Sequence, residues 1–195
     1  MKKAFGGAEM KTIEELEQKM TEPSEQLIDM ISHLDGDLVI LGVGGKMGPS
    51  LAKLAKRAIE QAGVKKRVIG VSRFSDGTLQ SELEANGIET IAADLLDEEQ
   101  LKRLPAVRNV IFMAGHKFGT TGKEPFTWAM NTYLPDRVAE KFCESRIVSF
   151  STGNLYPLSS CKKAALPRRC RQIRSGSMPS HAWAGSGSSP IFHKN

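Results

Sequence analysis

The sequence predicts an α/β fold, a parallel sheet doubly wound by helices on both faces. Three observations predict it. Short apolar runs rich in branched side chains alternate five times with stretches of helical periodicity. The first run, Leu38–Leu41, passes into a turn containing Gly42, Gly44, Gly45 and Gly48, and an amphipathic pattern starts directly afterwards. The later runs end in small or polar residues, as strands do where their carboxyl ends share one edge.

The elements follow in order. Residues 12–34 read as a helix pair broken at Pro23, with Ile13, Leu16, Met20, Leu27, Ile31 and Leu34 on its apolar side. This pair is expected to pack on the sheet. Leu38–Leu41 is the first strand, preceded by an Asp35-Gly36 turn. In the following helix Leu51, Leu54, Ala55, Ala58, Ile59 and Ala62 form the stripe, with Lys53, Lys56, Arg57 and Glu60 opposite. Pro49 suits its first turn and Gly63 its end. Arg67–Val71 is the second strand, and Leu79–Ala85 a short helix closed by Asn86-Gly87. Ile88–Ala92 is the third strand, after which Asp97 caps a helix over Glu98–Leu104. Asn109–Met113 is the fourth. Pro125–Glu144 is a helix kinked at Pro135, with Trp128, Val138, Ala139 and Phe142 inward. Ile147–Phe150 is the fifth strand, expected to leave an open edge and limited solubility. Right-handed crossovers then give the Rossmann-type order 3-2-1-4-5.

At 195 residues, 40% hydrophobic and 25% charged, the chain suits one main folded unit. The expected divisions are a helical extension (1–36), a sheet domain (37–157) and a tail (158–195). The net charge of +5 is uneven: residues 158–195 hold seven Lys or Arg and no acid, so residues 1–157 carry −2. Any nucleic-acid footprint would rest on the tail alone, and the body is not expected to bind nucleic acid. No apolar run reaches membrane-spanning length, and Met1-Lys2-Lys3 leads into no signal core, so a cytoplasmic location is expected. Cys143, Cys161 and Cys170 lack disulfide or zinc spacing and read as reduced thiols.

Strand, glycine turn and helix together place backbone N–H groups and a helix N-terminus where a diphosphate could sit. Gly42, Gly45 and Gly48 form G-x-x-G-x-x-G; a plain chain reversal would use the same glycines. Arg73, at the end of the second strand, stands where a dinucleotide unit selects its ribose. A guanidinium forks onto a 2′-phosphate, which favours NADP over NAD; an exposed loop charge is the other reading. Asp94 could accept from the adenine amino group. Ala114 and Gly115 admit a ribose or ring against bare backbone, or form an ordinary turn. The polar segment 116–124 is a candidate loop over the site, and His116 without a partner reads equally as a solvated loop side chain.

GVGGKMG at 42–48, SR at 72–73, ADLLD at 93–97, FMAG at 112–115 and STGNLYP at 151–157 together resemble the extended short-chain dehydrogenase/reductase superfamily, in its NAD-dependent epimerase/dehydratase branch. The resemblance implies that Gly42, Gly45 and Gly48 hold the pyrophosphate, with Lys46 and Met47 lining the turn. It places Arg73 at the adenosine ribose, Asp94 and Leu95 at the adenine, and Ala114 and Gly115 at the nicotinamide-side ribose. Thr152 stands where the family has a Ser/Thr bonded to the reacting oxygen, although such a residue also satisfies local backbone. An oxidoreductase or epimerase acting on a small molecule is implied, its substrate not legible. The family's Tyr-x-x-x-Lys pair has no counterpart: Tyr133 is followed by Arg137 and Tyr156 by Ser160. Cofactor binding is therefore expected ahead of turnover, with a non-catalytic NADP-sensing module as the alternative.

From Cys161 onward the composition no longer suits this fold. A basic tail is one reading, and translation out of frame is the other. Back-translating residues 173–192 and shifting by two nucleotides permits a Y-A-x-T-x-L-x-x-E string, similar to the family's catalytic helix with Cys in place of Lys. Resequencing the gene through the codons for residues 155–165 decides between them.

Overall fold

The computed structural model describes residues 12–75, 77–116 and 121–151. Five parallel strands, β1 (Leu38–Leu41), β2 (Val68–Ser72), β3 (Glu89–Ala92), β4 (Asn109–Phe112) and β5 (Arg146–Ser149), lie in the order β3-β2-β1-β4-β5. The sequence-derived order holds, and strand ends agree to within one residue. β1 is central, pairing Leu41 with Val71 on one side and Phe112 on the other. All four of its residues are buried, because a sheet covered on both faces leaves no polar alternation.

Side-chain alternation along the strands divides the core in two. Val39, Leu41, Ile69, Val71, Val110 and Phe112 meet Leu101, Leu134, Val138 and Phe142 on one face. These belong to or follow helices α5 (Glu98–Arg103) and α7 (Leu134–Lys141). Leu38, Ile40 and Val68 face the other way, against Ala52, Ala58 and Ile59 of α3 (Gly48–Gln61) and Leu83 of α4 (Gly77–Ala85).

The N-terminal pair is α1 (Ile13–Met20), capped by Thr12, and α2 (Glu25–His33), capped by Ser24. Contrary to expectation it lies on α3, which already covers that face of the sheet; Ile31 of α2 reaches the core beneath. α1 buries no residue of its own. It covers Lys53, which the helical period alone had placed on the solvent side. Lys53 is 6% exposed and donates to Glu17 of α1 at 2.5 Å and to Glu82 of α4. Burial pulls this ammonium down, but the two carboxylates outweigh it and hold its pKa above the ordinary value.

Before β5 the expected kinked helix divides into α6 (Glu124–Trp128), a π-helical turn (Ala129–Tyr133) and α7. The Leu134 amide donates to Ala129, five residues back. The extra residue in that turn rotates α6 relative to α7, so the period through Val138 and Phe142 does not extend to Trp128. Trp128 is 42% exposed, a correction to its inward placement, and Ala139 is half-buried. β5 is an edge strand among the described residues, with Val148 61% exposed. Among those residues no helix is long and apolar enough to cross a membrane.

Asp37 ties the entry of β1 to that of β2. Its carboxylate accepts from the Arg67 amide and from Arg67 Nε, each at 2.8 Å. The amide bond foremost, and the guanidinium beside it, hold its pKa below the ordinary 3.8 against the opposing effect of burial. A depressed carboxylate stabilises the fold above its unfolded pKa and ceases to do so as pH falls through the folded value. Asp37→Ala should therefore cost about 1–2 kcal/mol at neutral pH. In urea melts the gap from wild type should narrow below about pH 4; a gap that persists unchanged in acid excludes this origin.

Candidate site at the carboxyl edge of the sheet

The chain leaves β1 through Gly42, whose φ of 88° is a left-handed conformation that disfavours any side chain. A Cβ there would also lie 2.7 Å from the Ala114 amide nitrogen, so this turn is pressed against the exit of β4. Val43 is fully buried, and the amides of Gly42 and Val43 both donate to the Val71 carbonyl, at 2.9 and 3.1 Å. Gly44 abuts the Ser72 side chain at the end of β2. Gly48 opens α3 with its Cα against the Val43 backbone. The turn is thereby wedged between two neighbouring strands and its own helix.

What the turn presents outward is bare amide. Gly44, Gly45, Lys46 and Met47 are exposed. The Gly45 amide donates to Gly42 at 3.1 Å, while those of Gly44, Lys46 and Met47 make no hydrogen bond among the described residues. α3 has no capping side chain and no acid in its first turn. Among the described residues nothing compensates its positive end, the arrangement that favours an anion.

The other sequence-derived positions line the same edge. Arg73 directly follows β2, is exposed, and forms no ion pair among the described residues. Phe74 behind it takes a left-handed φ of 45°, unusual for an aromatic residue, and its partly buried ring packs on the core below α3. After β3, the Ala93 amide donates to Ser72, which joins this exit to that of β2. Asp94 is half-buried; one carboxylate oxygen accepts from Leu96 at 3.0 Å, and its amide donates to Gln100. Leu95 puts its side chain in the core, leaving only its main chain toward the edge. Asp97 caps α5 as expected, accepting from Glu99 and Gln100.

Beyond β4, Ala114 touches Gly42, and Gly115 lies beside Asn131 Oδ1, where an added Cβ would be 3.3 Å away. Asn131 comes from the π-helical turn and was not singled out from the sequence. It accepts from the His116 amide and donates to the His116 carbonyl, both at 2.8 Å. Thr127, fully buried, was also missed; its hydroxyl lies 2.9 Å from His116 Nδ1. His116 is thus a clamped residue and not the partnerless side chain that the sequence suggested. A polar pair inside an amphipathic helix was the only available signal. Thr152, Tyr156, most of the 116–124 segment's central residues (117–120) and the tail lie outside the described residues.

An open recess of about 340 Å³ elsewhere is flanked by Lys53, Lys56 and Arg57. Those cations are already engaged, by Glu17 and Glu82, by Glu60, and by Thr21 respectively. It offers no comparable set of unbonded donors.

Comparison of the sequence with protein-family models and with curated proteins finds no match. Solved structures do match. The UDP-glucuronic acid 4-epimerase of Bacillus cereus in complex with NAD has a TM-score of 0.57 at 17% identity, over 82% of this chain and 53% of its own. The UDP-glucose 4-epimerase of Thermotoga maritima with UDP-glucose has a TM-score of 0.61 at 16% identity, over 80% of this chain and 50% of its own. A short-chain dehydrogenase/reductase superfamily protein from Agrobacterium tumefaciens with bound NAD gives 0.56 at 16%, over 79% and 44%. The chain spans about half the length of the structures it matches. Over that half, its fold is the α/β Rossmann-like arrangement of the NAD-dependent epimerases and short-chain dehydrogenase/reductase proteins.

Proposed function

We propose that this chain binds a nicotinamide dinucleotide across the carboxyl edge of its sheet, as a cofactor-binding unit of epimerase or reductase type. The observation that carries the reading is the set of exposed amides of Gly44, Lys46 and Met47, which bond to none of the described residues, at the start of α3, which no described side chain caps. The residues present fit the group. Gly42, Gly45 and Gly48 keep the turn clear for a diphosphate, with Lys46 and Met47 beside it. Asp94 and the Leu95 main chain meet the adenine, and Ala114 and Gly115 the nicotinamide-side ribose. Thr152 is assigned to the reacting oxygen from the sequence alone. When bound, such a coenzyme supplies hydride transfer; the residues described here bind and orient it.

Arg73 favours NADP over NAD, because an exposed guanidinium with no carboxylate partner among the described residues is suited to a 2′-phosphate. NADPH fluorescence titration tests both the binding and this preference. Arg73→Gln should weaken NADPH roughly ten-fold while leaving NADH unchanged. Equal losses for the two coenzymes would remove the assignment.

A second reading, a non-catalytic NADP-sensing module, is favoured by one observation: neither Tyr133 nor Tyr156 has Lys four positions on. Coenzyme binding without substrate-dependent oxidation across a sugar-nucleotide panel supports that reading. Turnover excludes it.

A further inference from the structure

His116 leaves the sheet two residues after Ala114, and it is held by separate bonds to main chain and ring. Asn131 clamps its amide and its carbonyl, each at 2.8 Å. Its ring stands edge-on to Phe126, with centroids 5.0 Å apart, and Nδ1 lies 2.9 Å from the buried Thr127 hydroxyl. That hydroxyl has a single proton, which it donates to the Lys123 carbonyl at 2.9 Å. With that proton directed at the Lys123 carbonyl the hydroxyl can only accept from His116, an assignment that puts the ring proton on Nδ1. In the neutral imidazole Nε2 is then a bare acceptor, and among the described residues nothing donates to it.

Holding a half-exposed side chain in one orientation costs rotamer entropy that a solvated loop histidine need not lose. The orientation has a chemical consequence: with the ring proton on Nδ1, a lone pair is left on Nε2 of a side chain held two residues beyond Ala114, the residue pressed against Gly42. We propose that His116 contacts the ligand, its Nε2 accepting a hydrogen bond from a ribose hydroxyl of the dinucleotide on the Ala114–Gly115 backbone. Thr127 and Asn131 are positioning residues that act through it. The inference rests on the dinucleotide reading above and adds to it a fixed tautomer and a named acceptor.

The test uses the full chain labelled with ¹⁵N-histidine, observed by long-range proton–nitrogen spectra at neutral pH without and with saturating NADH. His116→Ala assigns the signal. The free protein should show His116 protonated at Nδ1, and NADH should move the Nε2 resonance. Thr127→Val should abolish the tautomer preference. In NADH fluorescence titrations His116→Ala should weaken binding roughly three- to ten-fold, the range of one net hydrogen bond. His116→Gln, which keeps an acceptor oxygen, should recover part of that loss. A proton on Nε2 in the free protein overturns the proposal. So does NADH that binds normally while Nε2 stays unmoved, an outcome that leaves the dinucleotide reading standing. Failure of the wild-type chain to bind either NADH or NADPH removes both.

Discussion

Replacing Gly48 with alanine should destabilise the protein by about 3 kcal/mol or more, at the upper end of what overpacking costs. The new Cβ would sit 2.6 Å from the Val43 carbonyl carbon and 2.7 Å from its Cα, and nearer still to its oxygen. These are backbone atoms, so no rotamer change relieves the overlap. Val43 cannot retreat either. It is fully buried, its amide is bonded to Val71, and its side chain already fills the space that a Cβ on Gly70 would need. The strain therefore passes into the central strands or lifts α3 from the turn, and nucleotide binding should be lost with it. Gly45→Ala is the matched control, since its Cβ meets only the Gly42 oxygen at an ordinary 3.5 Å. Urea unfolding of the two variants reads the difference. Coincident midpoints would mean that the turn is not wedged as described.

What was legible in the sequence is what local chemistry decides. The order of strands follows from alternating runs and right-handed crossovers. Gly63 and Gly87 end their helices with φ of 67° and 70°, and Asp97 caps α5, because each needs only its immediate neighbours. What escaped depends on encounters between distant segments. Lys53 falls on the polar side of α3 by period, yet α1 and α4 close over it. Trp128 matches a helical period that the π-helical turn interrupts. His116 finds Thr127 and Asn131 only once α6 and that turn dock against the exit of β4. In the candidate site, the glycine turn and the positions 73, 94, 95, 114 and 115 were visible as a pattern at strand ends. The pinning of the imidazole was not, because no residue spacing encodes which hydroxyl proton is already committed.

The proposed function rests a diphosphate on the amides around Gly45. Gly45 is exposed, its φ is not left-handed, and its environment tolerates a side chain. Gly45→Asp should therefore fold and melt like wild type. Its carboxylate would stand beside the two diphosphate charges. At about 4 Å and an effective dielectric of about 20, each such pair opposes binding by up to about 4 kcal/mol before solvent screening. After screening, a loss of roughly a hundred-fold in affinity is expected for NADH and NADPH alike. Gly45→Asn, equal in size and uncharged, should stay within about ten-fold of wild type. Calorimetric titration of the three folded proteins with NADPH decides the matter. Saturable binding is expected for wild type and Gly45→Asn, and near-abolition for Gly45→Asp. Equal affinity for Gly45→Asp and wild type, or no binding by the folded wild-type chain, would contradict the proposed function.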